Sequence, residues 1–142
     1  MSDQLVSALV SLGQTLSNAM DAVPGFVPCG HAFGELAAGI CALDSADESQ
    51  AIEAVRARAA HISDHRGVEL GAETLEVSPH LAQKQQQLLA AIKRLGKPAY
   101  EAISAGAERD EVDVFLARAC AALGHKDSEA ELDELIATAA TL

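Results

Sequence analysis

The first regular pattern in the chain is a stripe of apolar side chains near its start. Its members recur every three or four positions, the spacing of one face of an α-helix, and they are Leu5, Leu9, Leu12, Leu16 and Met20. The remaining face carries small and polar residues. The pattern predicts an amphipathic helix over residues 3–21.

The next stretch, residues 21–43, is apolar and almost uncharged. Pro24 and Gly25 favour a turn near its start, because proline is tolerated only at the first positions of a helix. A second helix is therefore expected over about residues 27–43. A segment this apolar must be covered by other helices or by a lipid bilayer. Its prolines and polar side chains favour a buried helix over a constitutive transmembrane one.

A capping-box sequence, Ser45 with Glu48, predicts the start of a third helix. This helix should end near Gly67 to Gly71, since glycine is a weak helix former. The side chains expected on its buried face are spaced at helical intervals, and they are Ile52, Val55, Ala59 and Ile62.

Ser78 followed by Pro79 predicts the start of a fourth helix. Its apolar stripe comprises Leu81, Leu88, Ile92 and Leu95. Gly96 and Pro98 predict a kink or a break, because proline disfavours helical geometry in the residue before it. Two shorter helices are expected afterwards, the second capped by Ser128 with Glu131. The residues predicted to point inward from these two are Val112, Phe115, Leu116, Ala119, Leu123, Leu132, Leu135 and Ile136.

Together these elements predict an all-α fold, an antiparallel four-helix bundle with one or two short C-terminal helices. The 142 residues fit a single domain, with the bundle over about 1–106 and the C-terminal helices over about 109–141. The composition agrees, because only 3% of the residues are aromatic and none is Trp.

The net charge of the chain restricts the classes of molecule that it is expected to bind. The formal net charge is −11, and no Lys or Arg precedes Arg56. Such a field repels polyanions, so nucleic acid is not an expected partner. Cys29, Cys41 and Cys120 are an odd number without CxxC spacing, which fits a reducing compartment. No signal-peptide pattern is present. We therefore expect a cytoplasmic protein.

Two pairs of side chains have the spacing of metal ligands. His31 and Glu35 are four residues apart, as are His61 and His65, so each pair projects from one helical face. They resemble the HxxxE and HxxxH elements of hemerythrin-like di-iron bundles, although the remaining ligands of that set are missing. The alternative is that these are ordinary histidines, and no metal or cofactor is the main expectation.

The sequence around Gly30 and Gly34 resembles the nucleophile elbow of acyltransferases. Ala32 stands where that motif has its serine, so the nucleophile is missing. Close helix packing through the two glycines is the simpler explanation. No other catalytic pattern is found, and an enzyme is not expected.

The densest positive patch consists of Lys93, Arg94 and Lys97. These cations have the chemistry to attract anionic lipid headgroups. The alternative is that they are solvated and complement the dipole at a helix C-terminus.

The order of the elements resembles a known family. The residues that carry this resemblance are Pro24 and Gly25 in the turn, the apolar second helix, and Val55 with Arg58 in the third. The stretches 87–97 and 111–123 are similar to its long fourth helix and short brace helix. The family is the N-terminal helical bundle of mixed-lineage kinase domain-like proteins and the related fungal HeLo-like domains. The resemblance implies a four-helix bundle plus brace that acts in regulated cell death or immune signalling.

The leading hypothesis is a non-enzymatic helical signalling module that acts by self-association or by binding a helical partner. It would be cytoplasmic and recruited to a membrane, with bilayer permeabilisation as one form of its action. The residues predicted to form the membrane or oligomer interface are Leu5, Leu9, Leu12 and Leu16, whose alternative is static core packing. The rival hypotheses are a metal- or ligand-binding bundle and a structural subunit of a larger complex.

Overall fold

The computed structural model describes residues 3–26, 30–75, 79–107, 109–124 and 129–142, except for the side chains of residues 30–32. All regular structure in these ranges is helical, which confirms the all-α prediction. The helices are α1 (Asp3–Ala22), α2 (Gly30–Cys41), α3 (Ser49–Arg66), α4 (Ala82–Ser104), α5 (Asp110–Ala122) and α6 (Glu129–Ala139), with a short 3₁₀ turn at Ala42–Asp44.

The third helix starts later than the sequence predicts. The 3₁₀ turn continues from α2 and ends at Ser45, whereas α3 begins at Ser49, so Ser45 lies too far before α3 to cap it. Glu48 occupies the N-cap position and makes no capping bond with its side chain. The first turn instead has Ser49 N–H donating to Asp47 Oδ1 at 3.2 Å. The capping-box prediction was therefore wrong. The predicted end is confirmed, because Gly67 closes the helix in the left-handed conformation.

The fourth helix continues through Pro98, so of the predicted kink or break, the break is absent from Ala82–Ser104. Proline removes one intrahelical hydrogen bond. That loss is offset by burial on both sides of it, since Leu95 and Ala99 both lie in the hydrophobic core. The predicted start of this helix at Ser78 lies outside the described residues, as does the cap at Ser128.

The first helix is the centre of the fold. It packs most extensively against α5 and α3, and it also contacts α2. Gly13 allows the close approach of α5, because a Cβ atom there would stand 2.7 Å from Ala117 O and 2.8 Å from Ala121 N. The backbones of α1 and α5 are thus nearly in contact.

The second and fourth helices form the other main pair. Gly96 of α4 lies against Ile40, and a Cβ atom at this glycine would collide with that side chain. Gly39 likewise leaves room for Leu9 and Val55. By contrast, nothing lies within 4 Å of where a Cβ at Gly34 would be. Close packing through Gly34 was therefore a wrong prediction.

The two C-terminal helices complete the core. Phe115, Leu116 and Leu132 are all buried, as the periodicity predicts, and α5 contributes a nearly continuous row of buried side chains. Arg94 of α4 donates from Nη2 to Ala139 O at 2.9 Å. This carbonyl at the end of α6 also accepts from Leu142 N–H at 3.2 Å, so Arg94 adds a second donor at the helix C-terminus.

Candidate functional site

The leucine stripe of α1 lies in the interior. Leu5, Leu12 and Leu16 are 0% exposed and Leu9 is 2% exposed. These four residues are therefore core residues in this conformation, and they reach a membrane or a partner only if the bundle opens. Their predicted role as an interface stays a prediction that requires such a change.

A different face of α1 is covered by an extended segment, residues 67–75, which we call the strap. It follows α3 and has no helix or strand of its own. Polar side chains of α1 hold its backbone. Ser11 Oγ donates to Gly71 O at 2.6 Å, and Gly71 N–H donates to Thr15 Oγ1 at 2.9 Å. The central residue of the strap is thereby bonded through both its amide and its carbonyl.

Two further bonds hold the neighbouring residues of the strap. Ala72 N–H donates to Gln14 Oε1 at 3.0 Å, and Asn18 Nδ2 donates to Glu69 O at 2.8 Å. All four bonds join a side chain of α1 to strap backbone. A side chain that bonds to backbone contacts the main chain of the residue it holds, so this row of α1 holds the strap through its peptide groups. We call Ser11, Gln14, Thr15 and Asn18 the polar stripe.

The fit at the centre of the strap requires a glycine. A Cβ atom on Gly71 would collide with the backbone oxygen of Ser11 and would lie 2.6 Å from the Cβ of Gln14. The strap backbone therefore rests directly on α1. Leu70 is 49% exposed, but Val68 and Leu75 pack against the core and Glu73 pairs with Arg56. Backbone contact at the centre and these side-chain contacts on either side of it together hold the strap.

The polar stripe and the leucine stripe lie on opposite sides of α1. Asn18 follows Leu9 by nine residues, which is about two and a half helical turns. Removing the strap would therefore expose hydroxyls and amides and leave the leucines covered. Opening of the fold can therefore expose the polar stripe without exposing the leucine stripe.

A cleft of about 400 Å³ lies beside the strap. One wall contains Asp21, whose carboxylate accepts a hydrogen bond from Arg118 Nη2 at 2.8 Å. This hydrogen bond lowers the pKa of Asp21 below its ordinary value. Ser17 also lines the cleft, and its buried hydroxyl oxygen has no hydrogen-bond partner among the described residues. The cleft is thus polar and lies next to the strap.

Two of the three cations predicted to meet lipid headgroups are engaged within the molecule. Lys93 Nζ lies 3.0 Å from Asp44 Oδ1, and Arg94 donates to the end of α6. Lys97 is exposed. A lipid role for these residues stays a prediction, and it would require Lys93 to leave its carboxylate.

The histidine pair of α3 is exposed, and its two rings stack on each other. The centroids of His61 and His65 are 5.6 Å apart and the rings are nearly parallel, at 7°. Among the described side chains, no group of three His, Cys, Asp or Glu could hold a metal ion. The side chain of His31 lies outside the described set, so the predicted site with Glu35 stays a prediction.

The cysteines differ in their surroundings. Cys120 is buried between α5 and its neighbours, and burial raises the pKa of its thiol to about 12. Cys41 is exposed at the end of α2. Partial burial raises the pKa of its thiol as well. Neither has the depressed pKa of a reactive cysteine, and Cys29 lies outside the described residues.

Comparison with known proteins adds no relative. No protein-family model matches the chain, and no curated protein or solved structure is significantly similar to it. The resemblance to mixed-lineage kinase domain-like bundles therefore rests on the order of sequence motifs alone.

The helices were also compared with the requirements of a membrane span. Of those the structure describes, none has both the length and the apolar character needed to cross a bilayer. This applies to α2, which the sequence singled out as the most apolar segment.

Sequence reasoning missed the polar stripe. Its residues have helical spacing, but a polar face on an amphipathic helix ordinarily indicates solvent. The sequence does contain one signal that this polar face is covered by protein. Ser11 and Thr15 are small hydroxyl residues, and the helix has no charged residue between Asp3 and Asp21. A solvated face would be expected to carry Lys, Glu or Arg.

Proposed function

We propose that this protein is a non-enzymatic helical signalling module that acts by binding a partner or a second copy of itself. In this proposal its architecture is a four-helix bundle with C-terminal brace helices. The observation that supports it most directly is the strap on the polar stripe. A groove that holds one extended segment by its backbone can hold another, so the strap is the resting occupant of a binding site.

The energetics favour the strap as the element that moves first. Its four side-chain to backbone hydrogen bonds each contribute roughly 0.5–1.5 kcal/mol, about 2–6 kcal/mol together. The Arg56–Glu73 ion pair at the surface adds at most about 1 kcal/mol, and the partly buried Val68 and Leu75 add about 1–3 kcal/mol. Exposing the four leucines would cost about 6–12 kcal/mol at roughly 1.5–3 kcal/mol each. This figure is comparable to the whole stability of a domain, about 5–15 kcal/mol. The strap's total of about 3–10 kcal/mol is the smaller of the two costs, so a partner can offset it more readily.

The occupant to which we assign the groove is an extended segment with a glycine at its centre. The strap of a second copy meets this requirement, because it would make the same backbone bonds as the resident strap. Exchange of an identical element between copies is a common route to dimers. Self-association through strap exchange is therefore the simplest form of the proposal.

The groove can be tested with a labelled synthetic peptide of residues 67–75. In the unaltered protein the strap is present at high effective concentration and should keep the peptide out. Gly71→Ala should dislodge the strap, because the added methyl group collides with α1, and the peptide with its own glycine should then bind. Fluorescence anisotropy measures the binding, and circular dichroism checks that the helices persist.

A matched pair of further substitutions controls this experiment. Thr15 and Thr138 both donate to the carbonyl four residues earlier, but only Thr15 also accepts from the strap. Adding Thr15→Val to Gly71→Ala should weaken peptide binding about tenfold or more. Adding Thr138→Val should leave it unchanged. Equal binding by both double variants, or no binding by Gly71→Ala, would reject the groove.

Membrane permeabilisation in cell death or immunity is the more demanding part of the proposal. It requires the leucine stripe to become exposed after the strap has left. Leakage of dye from anionic vesicles is the direct assay. If Gly71→Ala releases no more dye than the unaltered protein while still binding the peptide, the module is a partner-binding adaptor and the permeabilising role is lost.

A further inference from the structure

Most of the cations that the structure describes are neutralised within the molecule. A carboxylate lies within 4.0 Å of five of them, which pair as Arg56 with Glu73, Lys84 with Glu129 and Asp133, Lys93 with Asp44, Arg109 with Glu111, and Arg118 with Asp21. In a chain with 21 acidic and 10 basic residues, such pairing is the expected outcome.

One group of basic side chains departs from this rule. Arg58, His61, His65 and Arg66 of α3 line a small cleft of about 120 Å³ together with Phe26. None of these four has a salt bridge among the described residues. No described side chain lining the cleft is a carboxylate, and the sequence from Phe26 to Gly34 contains no Asp or Glu. Basic side chains are thus gathered in a cleft that no described carboxylate lines.

The side chains of this cleft are held in place. The guanidinium carbon of Arg66 lies 5.0 Å from the ring centroid of Phe26, a cation–π contact. The stacked rings of His61 and His65 support each other. Donors from successive helical turns therefore surround one space with defined positions.

Arg58 supplies a second observation. Its Nε atom is buried and has no hydrogen-bond partner among the described residues. Buried donors in proteins are nearly always satisfied, and an unsatisfied one indicates a missing acceptor. The basic residues His65 and Arg66 lie in the last turn of the helix, where a positive charge complements the helix dipole. That explanation does not extend to Arg58, which lies about two turns earlier.

We propose that this cleft binds the phosphate group of a small phosphorylated molecule. Guanidinium groups match the oxygens of a phosphate in a fork of parallel hydrogen bonds, and imidazole N–H groups add donors. The volume is below the roughly 300–1,000 Å³ of pockets that hold drug-sized ligands, so the cleft takes the phosphate and leaves the rest of the molecule outside. The net negative charge of the chain keeps polyanions away and makes recognition depend on this local geometry.

Inorganic phosphate is the first probe. Titration into the full-length protein at constant ionic strength should saturate, and the ring protons of His61 and His65 should shift in the proton NMR spectrum. Arg58→Gln should weaken phosphate binding by roughly tenfold or more, since it removes a charge-assisted donor. Arg56→Gln is the matched control, because it deletes the same charge two residues away on α3, outside the cleft. It also breaks the ion pair with Glu73 of the strap, and it should leave the phosphate affinity unchanged.

A second arm identifies the source of the phosphate. Vesicles of phosphatidylcholine are compared with vesicles that also contain phosphatidate. Binding of inorganic phosphate without vesicle binding supports a soluble ligand. Arg58-dependent binding to phosphatidate vesicles alone would place the phosphate on a lipid and overturn the soluble-ligand assignment. Equal loss in Arg58→Gln and Arg56→Gln, or no saturable binding to either probe, would overturn the site itself. The cleft shares no residue with the strap, so loss of phosphate binding in Arg58→Gln does not test the proposed groove.

Discussion

Replacing Gly13 by alanine tests the closest contact in the fold. A Cβ atom at this position would lie 2.7 Å from Ala117 O, 2.8 Å from Ala121 N and 2.9 Å from the Cβ of Cys120. Two of these three atoms belong to the backbone of α5, which cannot move aside without shifting the whole helix. The substitution therefore forces the two helices apart.

The expected magnitude follows from two opposing terms. Alanine is the better helix former, by about 1 kcal/mol. Overpacking in a core costs about 1–3 kcal/mol, and contact with backbone atoms places this site at the upper end. Gly13→Ala should therefore lower the free energy of unfolding by about 2 kcal/mol. Gly34→Ala is the matched control. Its Cβ would meet nothing within 4 Å, so it should raise stability by about 0.5–1 kcal/mol.

Urea unfolding followed by circular dichroism measures both variants. The midpoint and slope give the free energy by linear extrapolation, and the two variants should differ by about 3 kcal/mol. In a thermal scan that difference corresponds to roughly 10 °C for a chain of this size. If Gly13→Ala proves as stable as Gly34→Ala, α1 and α5 do not approach each other this closely, and the central position of α1 must be rejected.

Two further predictions concern titratable groups. In a Cys29→Ser background, an aromatic disulfide reagent should label exposed Cys41 in the folded protein. Cys120, buried with a pKa of about 12, should react only after denaturation, and rapid labelling of both would contradict its burial. Arg118 lowers the pKa of Asp21, so this carboxylate stabilises the fold above its ordinary pKa, and the stabilisation is lost as pH falls through the lowered value. Asp21→Asn should therefore lower the free energy of unfolding by less than about 1 kcal/mol at pH 7, because the pair is exposed. The difference between the variant and the unaltered protein should shrink below about pH 4. A difference that stays constant from pH 7 to pH 2 would contradict the pairing.

The helices follow closely from the sequence where periodicity decides them. The predicted helix over residues 3–21 is observed as Asp3–Ala22. Its leucine stripe is buried, in agreement with static core packing, which was one of the two interpretations of this stripe. Spacing reports which side chains share a face, and burial of an apolar face is the main source of helical stability in proteins. These predictions therefore needed no knowledge of the partner helices.

The errors lie where two local signals compete. Ser45 has the sequence of a helix cap, but the preceding chain continues into a 3₁₀ turn in which Ser45 N–H donates to Ala42 O. Pro98 has the sequence of a helix breaker, but flanking core contacts maintain α4. For Ser45 the deciding contribution is a local backbone bond, and for Pro98 it is tertiary packing, which propensity does not contain.

The candidate sites were the least predictable part. The strap has no periodicity, so nothing in its sequence reports that Gly71 rests on α1. The cleft at Arg58 depends on which basic residues lack a carboxylate nearby, and pairs such as Arg56 with Glu73 join residues 17 positions apart. Spacing along one helix did bring His61 and His65 together. It could not show that two arginines share their surroundings.

The contact between Gly13 and Ala117 also sets an order of events during biosynthesis. About a hundred residues separate these partners in the chain, so α1 leaves the ribosome long before the helix that covers it exists. Contacts so distant in sequence close slowly, and an uncovered apolar helix is open to aggregation or to a chaperone in the interval. The nascent protein therefore passes through a stage in which the apolar surface of α1 is exposed to solvent, before α5 packs against it.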